Sequence, residues 1–343
     1  MARAAFYERD ETIRVGEAEA PSPGAGEVQV EIAYGGICGT DLHIYHGKMD
    51  WRVAAAQIMG HEVSGVVSAV GEGVEGIEVG RRVTVMPLQP CNDCPACEAG
   101  HNHICMNLKF LGIDTPGGFQ SFWTVPDYAV LPLPDSISLK RAALIEPLAV
   151  ACHDVRLGGV QAGEKVVVLG GGPIGMLVGL VAQFEGAEVL VSEINPIRVA
   201  MGADLGLEVV NPLEVDLQAL VEDRTGGAGA DVVFEVSASA AGADMMTKLA
   251  RTRGRIVIVG MFNDGPTVDL FRVLWRELQL IGARVYERED FEKAIEIAAS
   301  EALPLDELIS EVVPLDQLKA GLDKLGGGGD VMKVLIDVQG RAG

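Results

Sequence analysis

Basic residues are scarce in this chain: 27 Lys and Arg stand against 49 Asp and Glu, a formal net charge of −22 at pH 7. So acidic a surface excludes nucleic acid and anionic membrane as partners, because both need a basic face. The opening residues, MARAAFYERDE, lack the apolar core of a secretory signal, so a cytoplasmic location is expected. Aromatic residues are also few, at 5%, while 48% of the chain is hydrophobic, which suits a soluble α/β protein. One uncharged run, Val166 to Phe184, approaches membrane-spanning length. Three consecutive glycines, a proline and Gln183 interrupt it and argue against a spanning helix. No internal repeat is present, and low complexity is confined to the glycine run Gly326 to Gly329. At 343 residues, two domains are expected, each able to bury its own core.

What is present centres on KVVVLGGGPIGMLVGLVAQFEGAEVLVSE, residues 165 to 193, which reads as strand, glycine turn, helix and second strand. Gly170, Gly172 and Gly175, with Pro173 and Ile174 between the last two, have G-x-G-x-x-G spacing. The first glycine permits the tight turn, the second lets backbone approach a pyrophosphate, and the third lets helix and strand pack closely. The N–H groups at the helix start then face the phosphates, where the helix dipole favours negative charge. Glu193, ending the second strand, can accept hydrogen bonds from the adenosine ribose and would repel a 2′-phosphate, so NAD is expected over NADP. Arg198, five residues on, is the counter-observation, because an arginine there can hold that phosphate or stack on adenine. The βα alternation continues through Glu188 to Ser192, Glu208 to Val210, Asp231 to Glu235, Arg255 to Gly260 and Leu278 to Gly282, which predicts a doubly wound parallel sheet.

Before that half, Arg3 to Val85 carries short apolar runs at 28–33, 64–70 and 82–85 between turn residues, predicting an antiparallel β domain. GGICGTDLH (35–43) and MGHE (59–62) lie within it. By themselves Cys38 and His61 would ordinarily be packing residues. Cys91, Cys94, Cys97 and Cys105 are another matter: C-x2-C-x2-C-x7-C in a polar loop suits a closed tetrahedral zinc site, structural because no coordination position is left open. In a reducing compartment metal ligation outweighs disulfide pairing. His101 and His103 in the same loop are read as surface residues. Glu146, before Pro147 in the apolar stretch ALIEPLAV, would be costly to bury unpaired, and a metal is one candidate partner. The tail, helical over 290–300 and 315–325 and a strand over 331–337, is assigned to the first domain. Trp51, Phe110, Phe119 and Trp123 could line a pocket, although aromatics in a β domain usually belong to its core.

CGTDLH, GHE, the four-cysteine lobe, IEPLAV and GGGPIG, in this order, resemble the zinc-dependent medium-chain alcohol and polyol dehydrogenases over nearly the whole chain. EPLAV and GHEVSG are most similar to the sorbitol and (R,R)-butanediol dehydrogenase branch. The resemblance implies a GroES-like β-rich catalytic domain, 1–148 with 284–343, and a Rossmann NAD-binding domain, 149–283. It also implies that Cys38 and His61 bind a catalytic zinc. Glu146 would join them directly or through water, and Glu62 would touch or support the metal. A second zinc in the cysteine lobe makes two per chain. The zinc acts as a Lewis acid on the hydroxyl of a small alcohol or polyol, Thr40 and His43 conduct the proton outward, and hydride passes to NAD. By the same resemblance, Lys333 lies near the cofactor diphosphate and pairs with Glu62, the alternative being a solvated lysine on an edge strand. A homotetramer is implied, with the strand at Arg255 to Met261 as the sheet edge to be covered. L-threonine 3-dehydrogenase-like oxidation of an amino alcohol is the nearer alternative. A non-catalytic nucleotide-binding member of the fold is the more distant one.

Overall fold

Short β-branched runs between glycine turns build the sheets, and the computed structural model, which describes residues 2–328 and 331–340, groups them into two units. The first is Met1–Glu146, Ala294–Glu301 and Leu305–Gly343; the second is Pro147–Lys293 and Ala302–Pro304. Gly329 and Asp330 of the glycine-rich approach to the last strand lie outside the described residues. No helix of the described residues is long and apolar enough to cross a membrane.

The main sheet of the first unit runs, in spatial order, Val130–Pro132, Arg82–Val85, Glu62–Val70, Glu27–Gly36, Lys333–Asp337 and Ile309–Pro314, with Phe122–Pro126 also pairing to Glu27–Gly36. It is antiparallel except for one parallel pair, Ile309–Pro314 with Lys333–Asp337. That pair places the terminal strand inside the sheet, so Lys333 is not on an edge. Ile309–Pro314 was not foreseen from sequence, because its ISEVVP run is short and lacks strict alternation. The chain returns to this unit within the helix Arg288–Ser300, not at residue 284. The first part of that helix belongs to the second unit, where Asp290 accepts hydrogen bonds from His153 Nδ1 (2.7 Å) and Arg156 Nε (2.6 Å).

In the second unit six parallel strands, numbered by appearance from Lys165–Leu169, lie in the order 3-2-1-4-5-6, the doubly wound arrangement. Their inward valines and leucines, among them Val167, Leu169, Leu190 and Val233, pack with Met246 and Leu249 of the helix Ala240–Leu249. Each fully buried aliphatic side chain contributes roughly 1.5–3 kcal/mol. The edge differs from the expectation: Ala250–Ile258 is internal, and Gln279–Gly282 forms the border. A strand that sequence places fifth of six is flanked because one more parallel strand follows it.

Asp154, on the helix Ile145–Gly158, is buried, and neither carboxylate oxygen has a hydrogen-bond partner. Burial, then the nearby Asp290, pushes its carboxyl well above the usual range. Such an acid stays protonated in the folded state while the unfolded state ionises above about pH 4. Its cost to stability is therefore absent at low pH and grows as pH rises toward the folded pKa. Asp154→Asn is expected to raise Tm by several degrees at pH 7.5, with the gain vanishing near pH 4. Thermal unfolding across that range checks it, and an equal gain at both pH values would contradict the buried-acid account.

Candidate metal centres and dinucleotide cradle

Strand Glu27–Gly36 ends where Cys38 caps the short helix Gly39–Tyr45, and the neighbouring strand Glu62–Val70 begins beside His61. This adjacency brings Cys38, His61 and Glu62 together, with one ligand atom of each within 4.8 Å of the others. Glu146 does not join them at that distance, although it is buried and its charge acts on both His61 and Lys333. Lys333 forms an ion pair with Glu62, and both are almost wholly buried, so the solvated-lysine alternative is set aside. Gly36 makes room for this pair: a Cβ there would stand 2.1 Å from Glu62 Oε2 and 3.0 Å from Lys333 Cε.

Asp41 is the site residue that sequence reasoning passed over. It lies three residues after Cys38 in the first helical turn, where its Oδ2 accepts from the Cys38 amide at 2.9 Å. Its Oδ1 stands 4.0 Å from His61 Nδ1, beyond hydrogen-bond reach, so it acts on the imidazole through charge. The signal was present, a carboxylate at the third helical position after a capping residue. Burial opposes charge on His61, but the Cys38 sulfur and the Asp41 and Glu146 carboxylates outweigh it and push the imidazole up to about 10. Burial likewise works against Lys333, which Glu62, Cys38 and Glu146 nonetheless hold above its ordinary value. So negative a pocket of S, N and O donors fits a divalent cation, and a zinc ion there would keep a position open.

Thr40 and His43 stand three apart on the Gly39–Tyr45 helix, hence on adjoining turns of one face. His43 is half-buried, and burial, then Lys48 and His46, hold it below the usual imidazole range.

In the lobe, the sulfurs of Cys91, Cys94, Cys97 and Cys105 lie within 4.8 Å of one another, at 3.3 Å for Cys91–Cys105, 3.6 Å for Cys94–Cys97 and 3.8 Å for Cys94–Cys105. A zinc at about 2.3 Å from four tetrahedral sulfurs implies separations of about 3.8 Å, so the quartet fits that ion. Amide hydrogens of Cys91 and Asn107 point at Cys105 Sγ and that of Met106 at Cys94 Sγ. Backbone donors from Cys97 and Met106 bring Cys94 down to about 6, as a thiolate ligand needs. His101 is exposed, and neither it nor His103 enters the quartet.

The cradle has the expected form: strand Lys165–Leu169, the turn Gly170 to Gly172, and helix Pro173–Phe184. Gly170 has φ +105°, and a Cβ on Gly175 would strike the Gly170 carbonyl oxygen at 1.8 Å. Only glycine permits both. At Gly172, the helix cap, a Cβ would meet nothing closer than Arg198 Nη1 at 4.0 Å, which leaves that backbone open to a ligand. Ile174 follows Pro173 in the first turn. Glu193 accepts from the amides of Gly171 (2.9 Å) and Asn195 (2.8 Å), so it also braces the turn. A carboxylate has about four acceptor sites, which leaves capacity for ribose hydroxyls.

Residues 24–135 match the family model described as alcohol dehydrogenase GroES-like domain, and residues 173–300 that described as zinc-binding dehydrogenase. The chain is 52% identical over 334 residues to 2-dehydro-3-deoxy-L-galactonate 5-dehydrogenase of Pseudoalteromonas atlantica, covering 97% of this chain and 98% of that one. The chain belongs to the zinc-dependent medium-chain alcohol and polyol dehydrogenases. L-threonine 3-dehydrogenase of Pyrococcus furiosus is 39% identical over 78% of each chain. A zinc-binding dehydrogenase of Sinorhizobium meliloti bound to NADP matches with TM-score 0.91 and 31% identity over 98% of this chain and 99% of that one. Membership in this family accounts for the GroES-like and Rossmann-type units and makes the chain an alcohol or polyol dehydrogenase using zinc and a nicotinamide cofactor.

Removing one partner of the Glu62–Lys333 pair leaves a buried charge, a loss of roughly 3–5 kcal/mol. Glu62→Gln and Lys333→Ala are each expected to destabilise by about that much, and the double variant by clearly less than their sum. Denaturant unfolding of the four proteins measures the coupling; strict additivity would show that the pair is not an energetic unit.

Proposed function

We propose that the chain oxidises a secondary alcohol of a small polyol to a ketone with NAD, the polyhydroxy carboxylates being its substrate class. The convergence of Cys38, His61 and Glu62 beside Thr40 and His43 carries the reading. The substrate class is supported by the name of the 52% identical relative, a dehydrogenase acting on a sugar acid. Cys38 and His61 hold the catalytic metal, Asp41 adds a carboxylate beside His61, and Glu62, restrained by Lys333, stands ready as a further donor. Glu146 contributes charge to this pocket and ligates through water. When bound, zinc supplies Lewis acidity toward the substrate hydroxyl and the nicotinamide accepts hydride. The Thr40 hydroxyl accepts the substrate proton and donates its own onward. His43, neutral because its pKa is depressed, receives it and releases it to solvent.

NADH formation should be followed with sugar acids, vicinal diols, sugar alcohols, inositols and L-threonine. Turnover of sugar acids above the rest is the expected result. Preference for L-threonine would favour the amino-alcohol reading, which the 39% identity to a threonine dehydrogenase supports.

About two zinc ions per chain follow from the two donor sets. Cys94→Ser is expected to destabilise the lobe and lower Tm, whereas Cys38→Ser abolishes turnover with Tm nearly unchanged. Metal analysis, thermal unfolding and activity separate the two, and turnover surviving Cys38→Ser would exclude it as a ligand.

Glu193 supports NAD, while Arg198, whose buried Nε has no hydrogen-bond partner, and the NADP-bound relative speak for the phosphorylated cofactor. The expected kcat/KM is at least tenfold higher with NAD. A higher value with NADP would transfer the deciding role to Arg198.

A homotetramer completes the reading. The border strand Gln279–Gly282 lies in the same unit as the helix Leu270–Trp275, where Leu270, Phe271, Leu274 and Trp275 are exposed and the rings of Phe271 and Trp275 stack at 5.6 Å. An open edge and an apolar face of this kind need cover. Sedimentation should give an oligomer that Trp275→Glu dissociates; a monomer at micromolar concentration contradicts it.

A further inference from the structure

Of the four aromatic residues that sequence offered as pocket or core, Phe110, Phe119 and Trp123 are buried, and Trp51 is 81% exposed. Trp51 is not exposed for want of anchorage. Its segment is fastened on one side by Asp50, which accepts from Tyr7 Oη at 2.8 Å and Arg9 Nη1 at 3.2 Å. On the other, Arg52 holds Asp114 through Nε and Nη2, both at 2.6 Å. Asp114 in turn accepts from the amide of Phe110 at 2.7 Å, and the Phe110 ring meets the His61 imidazole edge-on at 5.2 Å. A second connection reaches the same segment from the proton path, where the Lys48 amide donates to the His43 carbonyl at 2.9 Å. The segment is therefore tied to the metal ligands at one end and to the proton relay at the other.

Two side chains on it are left over. Trp51 has an uncovered ring, and Lys48 is exposed with no ion-pair partner among the described residues. Its neighbours are already engaged: His46 with Glu11, Arg9 with Asp50 and Arg52 with Asp114. On a protein of net charge −22, an anionic substrate is repelled unless a local cation receives it.

We propose that Lys48 and Trp51 select for an anionic polyol, the ammonium taking the substrate carboxylate and the indole face receiving the carbon chain. The inference rests on the polyol-dehydrogenase reading of the adjacent centre and names the part of the substrate remote from the reacting carbon. An ammonium gives a point charge that attracts the carboxylate without fixing its plane, so it tolerates acids of differing chain length. The influence of Lys48 on His43 fits this proximity.

The test compares kcat/KM for a six-carbon aldonate and its neutral carboxamide in wild type, Lys48→Gln, Lys48→Arg and Trp51→Ala. Wild type should prefer the aldonate. In Lys48→Gln the aldonate-to-amide ratio should fall about ten- to a hundredfold, the range expected for a charge-assisted hydrogen bond, mainly through KM. Lys48→Arg should retain most of the ratio. Added salt should raise the aldonate KM in wild type and not in Lys48→Gln. Trp51→Ala should raise KM for both compounds; an unchanged KM would remove Trp51 from the proposal. A ratio that survives Lys48→Gln, or equal losses on both compounds, overturns the role of Lys48 while leaving the polyol reading intact. Wild type that oxidises neutral polyols and not aldonates overturns the substrate class and this inference with it.

Discussion

The half-buried Cys38 thiol meets the buried His61 imidazole and the buried carboxylates of Asp41 and Glu62 in the first unit, with Lys333 paired to Glu62 and the charge of Glu146 acting on both His61 and Lys333. Burying uncompensated charge costs several kcal/mol per ion, so this cluster is tenable only with further positive charge. Protons can provide it, as the raised His61 shows, and a divalent metal provides it better. Much of the surrounding fold serves that constraint. Gly36 clears the space for Glu62 and Lys333, the parallel pair with Ile309–Pro314 carries Lys333 into the sheet interior, and the helix after Cys38 supplies Asp41.

The second unit solves the opposite problem. It offers backbone N–H groups and a helix start in place of carboxylates, with glycine where a Cβ would collide, an arrangement that suits an anionic ligand. Glu193 braces that turn through the amides of Gly171 and Asn195.

The features legible in the sequence were those whose chemistry is local. The cysteine quartet lies within one loop and the glycine cradle within one strand–turn–helix, so spacing alone specifies them. Lys333 could not be placed from spacing, since its burial depends on a neighbouring strand whose sequence is a weak strand signal. Asp41 was hidden among the named residues of CGTDLH because its value lies in facing His61, a contact across 20 residues of chain. The sheet border was misplaced because an apolar strand near the end of the alternation does not reveal that another follows. Trp51 differs from the other three aromatics through side-chain anchors at Asp50 and Asp114, which hydropathy does not register. The branch read from the motifs is borne out by an (R,R)-butanediol and a sorbitol dehydrogenase at 33% and 31% identity, while the 52% identical relative carries a sugar-acid name; motif residues surround the shared chemistry and say little about the remote end of the substrate.

Zinc K-edge X-ray absorption on freshly purified protein tests the central claim most directly, because it reports the donors around the metal and not merely its presence. With one four-sulfur lobe and one mixed centre, the expected average is about 2.5 sulfurs per zinc, with Zn–S at about 2.3 Å and a nitrogen and oxygen shell at about 2.0–2.1 Å. Cys38→Ser should lower the sulfur count without disturbing the lobe. Four sulfurs per zinc with no lighter shell, or a spectrum unchanged by Cys38→Ser, would contradict the assignment of the buried cluster as a metal centre.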